Sequence, residues 1–126
     1  MKTVLLCMVA ALVLTACSPT TVVDQTKPLG SAPFSEVAWQ QAGQVQRGAM
    51  VHSFLTRHPV DTLTMEKVKT LLGPPTGYFD YDENLAYFVG PMSIDSAYGK
   101  GYLLVFITDK TSGRVTDVRL LPEPPA

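Results

Sequence analysis

The chain has 126 residues, room for one small domain, with hydrophobic residues at 46%, charged residues at 17% and a formal net charge of −1. The ten lysines and arginines are spread along its whole length, which excludes the clustered basic surface that a nucleic-acid backbone requires, so no nucleic-acid partner is expected.

The first residues differ in kind from the rest. Met1-Lys2-Thr3 is a short basic start, and Val4 to Leu14 (VLLCMVAALVL) is apolar and uncharged. That run is too short to cross a bilayer core of about 30 Å, which takes roughly 20 apolar residues as a helix. It has the length of the apolar region of a signal peptide. Leu14-Thr15-Ala16-Cys17 follows and resembles the bacterial lipobox, with a leucine three residues before the cysteine and small residues between. The resemblance implies cleavage between Ala16 and Cys17, diacylglycerol on the Cys17 sulfur, and a membrane anchor through that lipid. Anchoring by two or more acyl chains is stable where one chain is marginal. Ser18 stands where an aspartate would resemble an inner-membrane retention signal. For a Gram-negative host, this implies the periplasmic face of the outer membrane. The resemblance further implies that Cys7 leaves with the signal peptide and Cys17 is alkylated, so that the mature chain is expected to have neither free thiol nor disulfide.

Residues 18–33 (SPTTVVDQTKPLGSAP) are rich in Ser, Thr, Pro and Gly without apolar period, and read as a flexible tether reaching roughly 50 Å when extended. The expected organisation is a signal peptide over 1–16, lipidated cysteine and tether over 17–33, a folded domain over 34–121 and a tail over 122–126.

Ser35 can cap a helix, and Val37, Ala38, Ala42, Val45 and Ala49 follow at helical spacing, with Trp39 beside them. Gly43 and Gly48 weaken that helix by about 1 kcal/mol each relative to alanine. The firmer stretch is Gln44 to Thr56, with Val45, Ala49, Met50, Val51, Phe54 and Leu55 on its apolar side, and His58-Pro59 stops it. A second helix is marked by Thr64 as cap, Glu66 near the positive end, Val68, Leu71 and Leu72 as an apolar stripe, and Gly73-Pro74-Pro75 as the stop.

Beyond Pro75 the pattern turns to strands: Gly77 to Tyr81, then Leu85 to Val89 after a turn at Asp82-Glu83-Asn84. Met92 to Gly101 reads as an irregular connection, and Tyr102 to Thr108 (YLLVFIT) is the strongest strand in the chain. Asp109 to Gly113 is a hairpin loop, and Val115, Val118 and Leu120 mark the last strand. Helices followed by strands give an α+β class, with two helices packed on one face of a three- to four-stranded antiparallel sheet.

Thr64 to Pro75 (TMEKVKTLLGPP), an aromatic strand and YLLVFITDKTSGRV together resemble the BamE-like fold, also called SmpA/OmlA-like, whose architecture is shared with β-lactamase inhibitor proteins. The resemblance covers roughly 60–120 and is sharpest at Leu72-Gly73-Pro74-Pro75. A set of small uncharacterised bacterial proteins is similar too, through Met50 to Leu55 and Ile94-Asp95-Ser96. Two positions depart from the BamE pattern: Thr62-Leu63-Thr64 lacks the glycine of its turn, and Leu85-Ala86-Tyr87-Phe88 replaces a Trp-x-Tyr strand. The resemblance implies an accessory role in the outer-membrane β-barrel assembly machine, although this architecture serves different partners in different proteins.

Reactive groups that converge are scarce. His52 and His58 sit six apart and point to different helix faces. Asp80, Asp82 and Glu83 are acidic neighbours, but they lack the glycine and distal glutamate of a calcium loop and read as a solvated turn. No hydrolase, zinc-protease or phosphate-loop motif occurs, so no enzyme activity, metal or cofactor is expected. Aromatic residues are dense from Tyr78 to Tyr102. Alternation buries half of a strand's side chains, and tyrosine suits interfaces through its apolar body and polar tip. Tyr78, Tyr81, Tyr87 and Tyr98, with Asp95 of the Asp95-Ser96 turn, are therefore the expected partner-binding residues. The expected function is a non-enzymatic, lipid-anchored adaptor that binds another envelope protein. The alternatives are a small-ligand or lipid binder with a pocket between helices and sheet, and an enzyme inhibitor using loop Met92 to Gly101.

Overall fold

The computed structural model describes residues 21–81 and 83–124. Their order is α1 (Val22–Thr26), a 3-10 turn at Lys27–Leu29, α2 (Glu36–Gln41), α3 (Gln44–Arg57), a 3-10 turn at Val60–Thr62, and α4 (Met65–Leu72). Then come β1 (Gly77–Phe79), β2 (Asn84–Val89), β3 (Asp95–Ser96), β4 (Gly99–Lys100), β5 (Tyr102–Thr108) and β6 (Val115–Leu121). The main sheet is antiparallel in the order β1-β2-β5-β6, and β3 and β4 form a small separate hairpin. The class is α+β, with the helices against one face of the sheet.

Local chemistry explains the helix ends. The Ser35 hydroxyl accepts the Ala38 N–H at the start of α2, and the Thr64 hydroxyl accepts the Lys67 N–H at the start of α4. Gly73 closes α4 at a φ of 77°, a conformation that costs other residues more. The helical run expected from Ser35 onward breaks at Ala42-Gly43, where Gly43 becomes the N-cap of α3.

The core lies between the helices and one sheet face. It is built from Met50, Val51, Phe54 and Leu55 of α3, Val68 and Leu72 of α4, Leu85, Tyr87 and Val89 of β2, Leu104 and Phe106 of β5, and Val118 and Leu120 of β6. Trp39 of α2 is the largest fully buried side chain. Val37 and Val45, expected on apolar sides, face solvent instead. The layer is filled by edge-to-face aromatic pairs: Trp39 with Tyr87 at 6.2 Å, Tyr87 with Phe106 at 6.0 Å, and Phe54 with Phe106 at 6.1 Å. Such filling disfavours a ligand chamber between helices and sheet.

The tether reading of 17–33 is corrected from Thr21 onward. The Thr21 hydroxyl caps α1 by accepting the Asp24 N–H, and Val22, Val23 and Leu29 pack against the core. Thr26 is fully buried, and its hydroxyl donates to the Val23 carbonyl at 2.7 Å. His52 Nδ1 lies 3.1 Å from that same carbonyl, tying α1 to α3. Further along, the Ala32 N–H donates to Ala49 O and the Phe34 N–H to Ser53 Oγ. A five-residue helix is too short to persist alone, so contacts with α3 and β6, not local propensity, form it.

Candidate partner-binding surface

Cys17 and Ala16, the expected lipidation and cleavage residues, lie outside the described residues, as does Asp82 of the acidic turn. Among the others, Tyr87 is a correction. It is 0% exposed, at the centre of the helix–sheet core, and its hydroxyl donates to the Gly73 carbonyl at 2.7 Å. Burial raises its pKa far above the ordinary phenol value, so it remains a neutral donor. It is a structural residue that secures the end of α4, because alternation along β2 turns position 87 toward the helices together with Leu85 and Val89.

Tyr78 and Tyr81 do face solvent, at 75% and 88% exposure, and Tyr98 is also exposed. They do not share one surface. Tyr78 pairs with Leu85, whose side chain enters the helix-side core, so Tyr78 lies on the helix side of the β1 edge. Phe79 points to the opposite, outer face and meets Tyr98 with ring centroids 6.2 Å apart. Tyr81 sits in the β1–β2 turn at a φ of 61°, next to Asp80 at 50°. Positive φ is uncommon for an aromatic residue, and here it holds an almost fully exposed ring in solvent.

Asp95 is exposed and pairs in register with Lys100 across the small hairpin. The Ser96 hydroxyl accepts the Tyr98 N–H at 3.2 Å, the local backbone bond of a turn. The expected irregular connection is thus partly ordered, and it folds over the outer face. A Cβ on Gly99 would stand 3.0 Å from the Phe88 ring. Beneath lies a second small core of Ala86, Leu103 and Val105, flanked by the half-buried Phe79, Phe88, Ile107 and Leu121.

This outer-face cluster was missed in the reading of strand faces, although a signal for it exists. Leu85 to Val89 and Tyr102 to Ile107 are apolar at successive positions, whereas a sheet wet on one face alternates. Phe79, Phe88, Ile107 and Leu121 therefore join Tyr98 as the partly exposed apolar surface on this side.

Two of the titratable groups are engaged in structure. Glu83 forms an ion pair with Lys110. His58 caps α3 between the rings of Phe34 and Phe54, with centroids at 6.1 and 5.0 Å. Desolvation lowers its pKa, with repulsion from Lys67 and Arg57 acting the same way. A histidine depressed in the folded state holds its proton better when unfolded. Stability should therefore fall as pH drops through the ordinary histidine range near about 6.5, and level off below the folded-state value. Urea midpoints compared between about pH 8 and about pH 5 should show that fall, and His58→Gln should shrink it. An identical pH response in the variant would assign the effect to other groups.

Among the described residues, no group of three or more His, Cys, Asp or Glu could hold a metal ion. No described helix is long and apolar enough to cross a membrane. Comparison with protein families, with curated proteins and with solved structures finds no match to this chain.

Proposed function

We propose that this protein is a lipid-anchored envelope adaptor: exported, cleaved before Cys17, held by lipid on that cysteine at the periplasmic face of an outer membrane, and acting by binding another envelope protein. The observation that carries the reading is Leu14-Thr15-Ala16-Cys17 behind a basic start and an apolar run. Support for binding rather than chemistry comes from histidines engaged in packing and capping, a helix–sheet layer filled by aromatic rings, and tyrosines 78, 81 and 98 presented to solvent. The BamE-like resemblance over 60–120 favours the β-barrel assembly machine as partner, and the helix–helix–meander order is compatible with it.

On this reading the anchor is short. With α1 beginning at Val22, only residues 18–20 separate the lipidated cysteine from Thr21, at most about 14 Å of chain. The domain would work beside the bilayer rather than at the end of a long leash.

The test is Cys17→Ala, made in a chain that is still exported. Mass spectrometry should find acyl chains on the parent and none on the variant. The variant should leave the membrane fraction and fail to restore envelope integrity in a deletion strain. Full restoration by the unlipidated protein would sink the anchored-adaptor reading. Cross-linking in intact cells should also recover β-barrel assembly components with the parent. Recovery of a different envelope complex would keep the anchor and remove that partner.

A further inference from the structure

β6 ends the main sheet, with β5 on one side and no strand among the described residues on the other. Asp117 to Leu121 of β6 line a groove of about 470 Å³ together with Thr21, Val22 and Gln25 at the start of the fold. The Val118 N–H donates to Oδ1 of Asp117 at 2.9 Å. Alternate residues of an antiparallel strand direct their backbone groups to opposite sides, so this bond marks Val118 as facing the free side. Asp117 and Arg119 flank it, joined by a 3.1 Å ion pair and both about half exposed. They stand opposite Ile107 and Val105 in the ladder, which puts both on the outer face.

We propose that β6 is a self-association edge: two copies pair β6 with β6, antiparallel, about a two-fold axis at Val118, joining their sheets into one. In this register each Asp117 lies directly across from the partner's Arg119, and symmetry makes the contact twice. Val118 exchanges both backbone bonds with its counterpart. The charged pair then falls at a non-hydrogen-bonded position, where facing side chains approach most closely.

The charges select this register over its neighbours. A slip of two residues one way sets Asp117 against the partner's Asp117, and the other way sets Arg119 against the partner's Arg119. Like charges directly opposite destabilise a pair of strands. A slip of one residue sets outer-facing side chains against helix-facing ones. Alone, the Asp117 carboxylate covers the Val118 N–H and blunts an edge that would otherwise be a template for indiscriminate pairing. In the dimer that carboxylate turns to the partner's Arg119 and releases the amide to the facing backbone.

The test uses the full-length chain in detergent, sedimented over a concentration series, with circular dichroism and melting recorded for each variant. The parent should show a monomer–dimer equilibrium. Asp117→Arg and Arg119→Asp, made singly, should each raise the dimer dissociation constant about tenfold or more, because two attractive cross-strand pairs become repulsive. The double variant D117R/R119D should return toward the parent. Amide exchange at Val118 should slow as the parent concentration rises, a readout that needs no substitution. A parent that stays monomeric, a dimer indifferent to the single reversals, or a double variant no better than the singles would overturn the proposal.

Discussion

Gly48→Ala is expected to destabilise the protein by about 1–3 kcal/mol, although helix propensity alone predicts a gain of about 1 kcal/mol. Gly48 lies inside α3, where alanine is ordinarily the better residue. Here the helix backbone rests on the backbone just past β2. A Cβ at position 48 would stand 2.6 Å from the Gly90 Cα and 2.7 Å from the Gly90 nitrogen. Backbone atoms cannot swing aside as a flexible side chain can, so α3 and the end of β2 must separate. The Gly90 N–H donates to the Gln44 carbonyl at 2.9 Å, and Gln44 Nε2 donates to the Lys100 carbonyl at 2.9 Å. Separation strains both. Urea unfolding followed by circular dichroism decides the matter, since the two arguments differ in sign. A midpoint raised by the alanine would show that α3 can move away at little cost.

Trp39→Ala is expected to cost about 3–5 kcal/mol, in the range for emptying an aromatic core position. The ring is fully buried, packs edge-on against Phe34 and Tyr87, and carries the Arg47 guanidinium 4.9 Å above its centre. Its Nε1–H donates to the Leu72 carbonyl at 2.9 Å, while the Tyr87 hydroxyl donates to the Gly73 carbonyl beside it. Two core side chains thus satisfy carbonyls at the end of α4 that the helix itself leaves open. Trp39→Phe separates the terms, because it keeps most of the packing and orphans the Leu72 carbonyl. It should cost about 1–3 kcal/mol. A phenylalanine variant as stable as the parent would mean that water replaces the indole N–H, and that Trp39 acts through packing alone.

These residues also show where sequence reasoning stops. Trp39 stood beside a stripe of smaller residues at helical spacing, and Gly48 counted against the helix that contains it. Both judgements follow from local rules, and both fail for the same reason: the deciding atoms lie far along the chain. Leu72 is 33 residues from Trp39, and Gly90 is remote from Gly48 in sequence. Tyr87 failed in the other direction. Its density among aromatics suggested an interface, and the register of β2 turned it into the core. Tyr78 and Tyr81 were legible as surface residues, but strand alternation and the turn at Asp80-Tyr81 send them to different sides.

By itself the sequence determined the α+β class, the extent of α4 and the position of β5. It also holds Leu14-Thr15-Ala16-Cys17, the stretch of consecutive residues on which the proposed lipid anchor rests. Caps, glycine stops and apolar runs act within a few residues, so they survive without knowledge of the partner. Only the tertiary structure decided that residues 22–29 fold onto α3 and β6, that Gly48 is a contact rather than a flaw, and that the outer sheet face carries its own apolar cluster. Each of these depends on surfaces brought together from distant segments, where burial, not propensity, sets the energy.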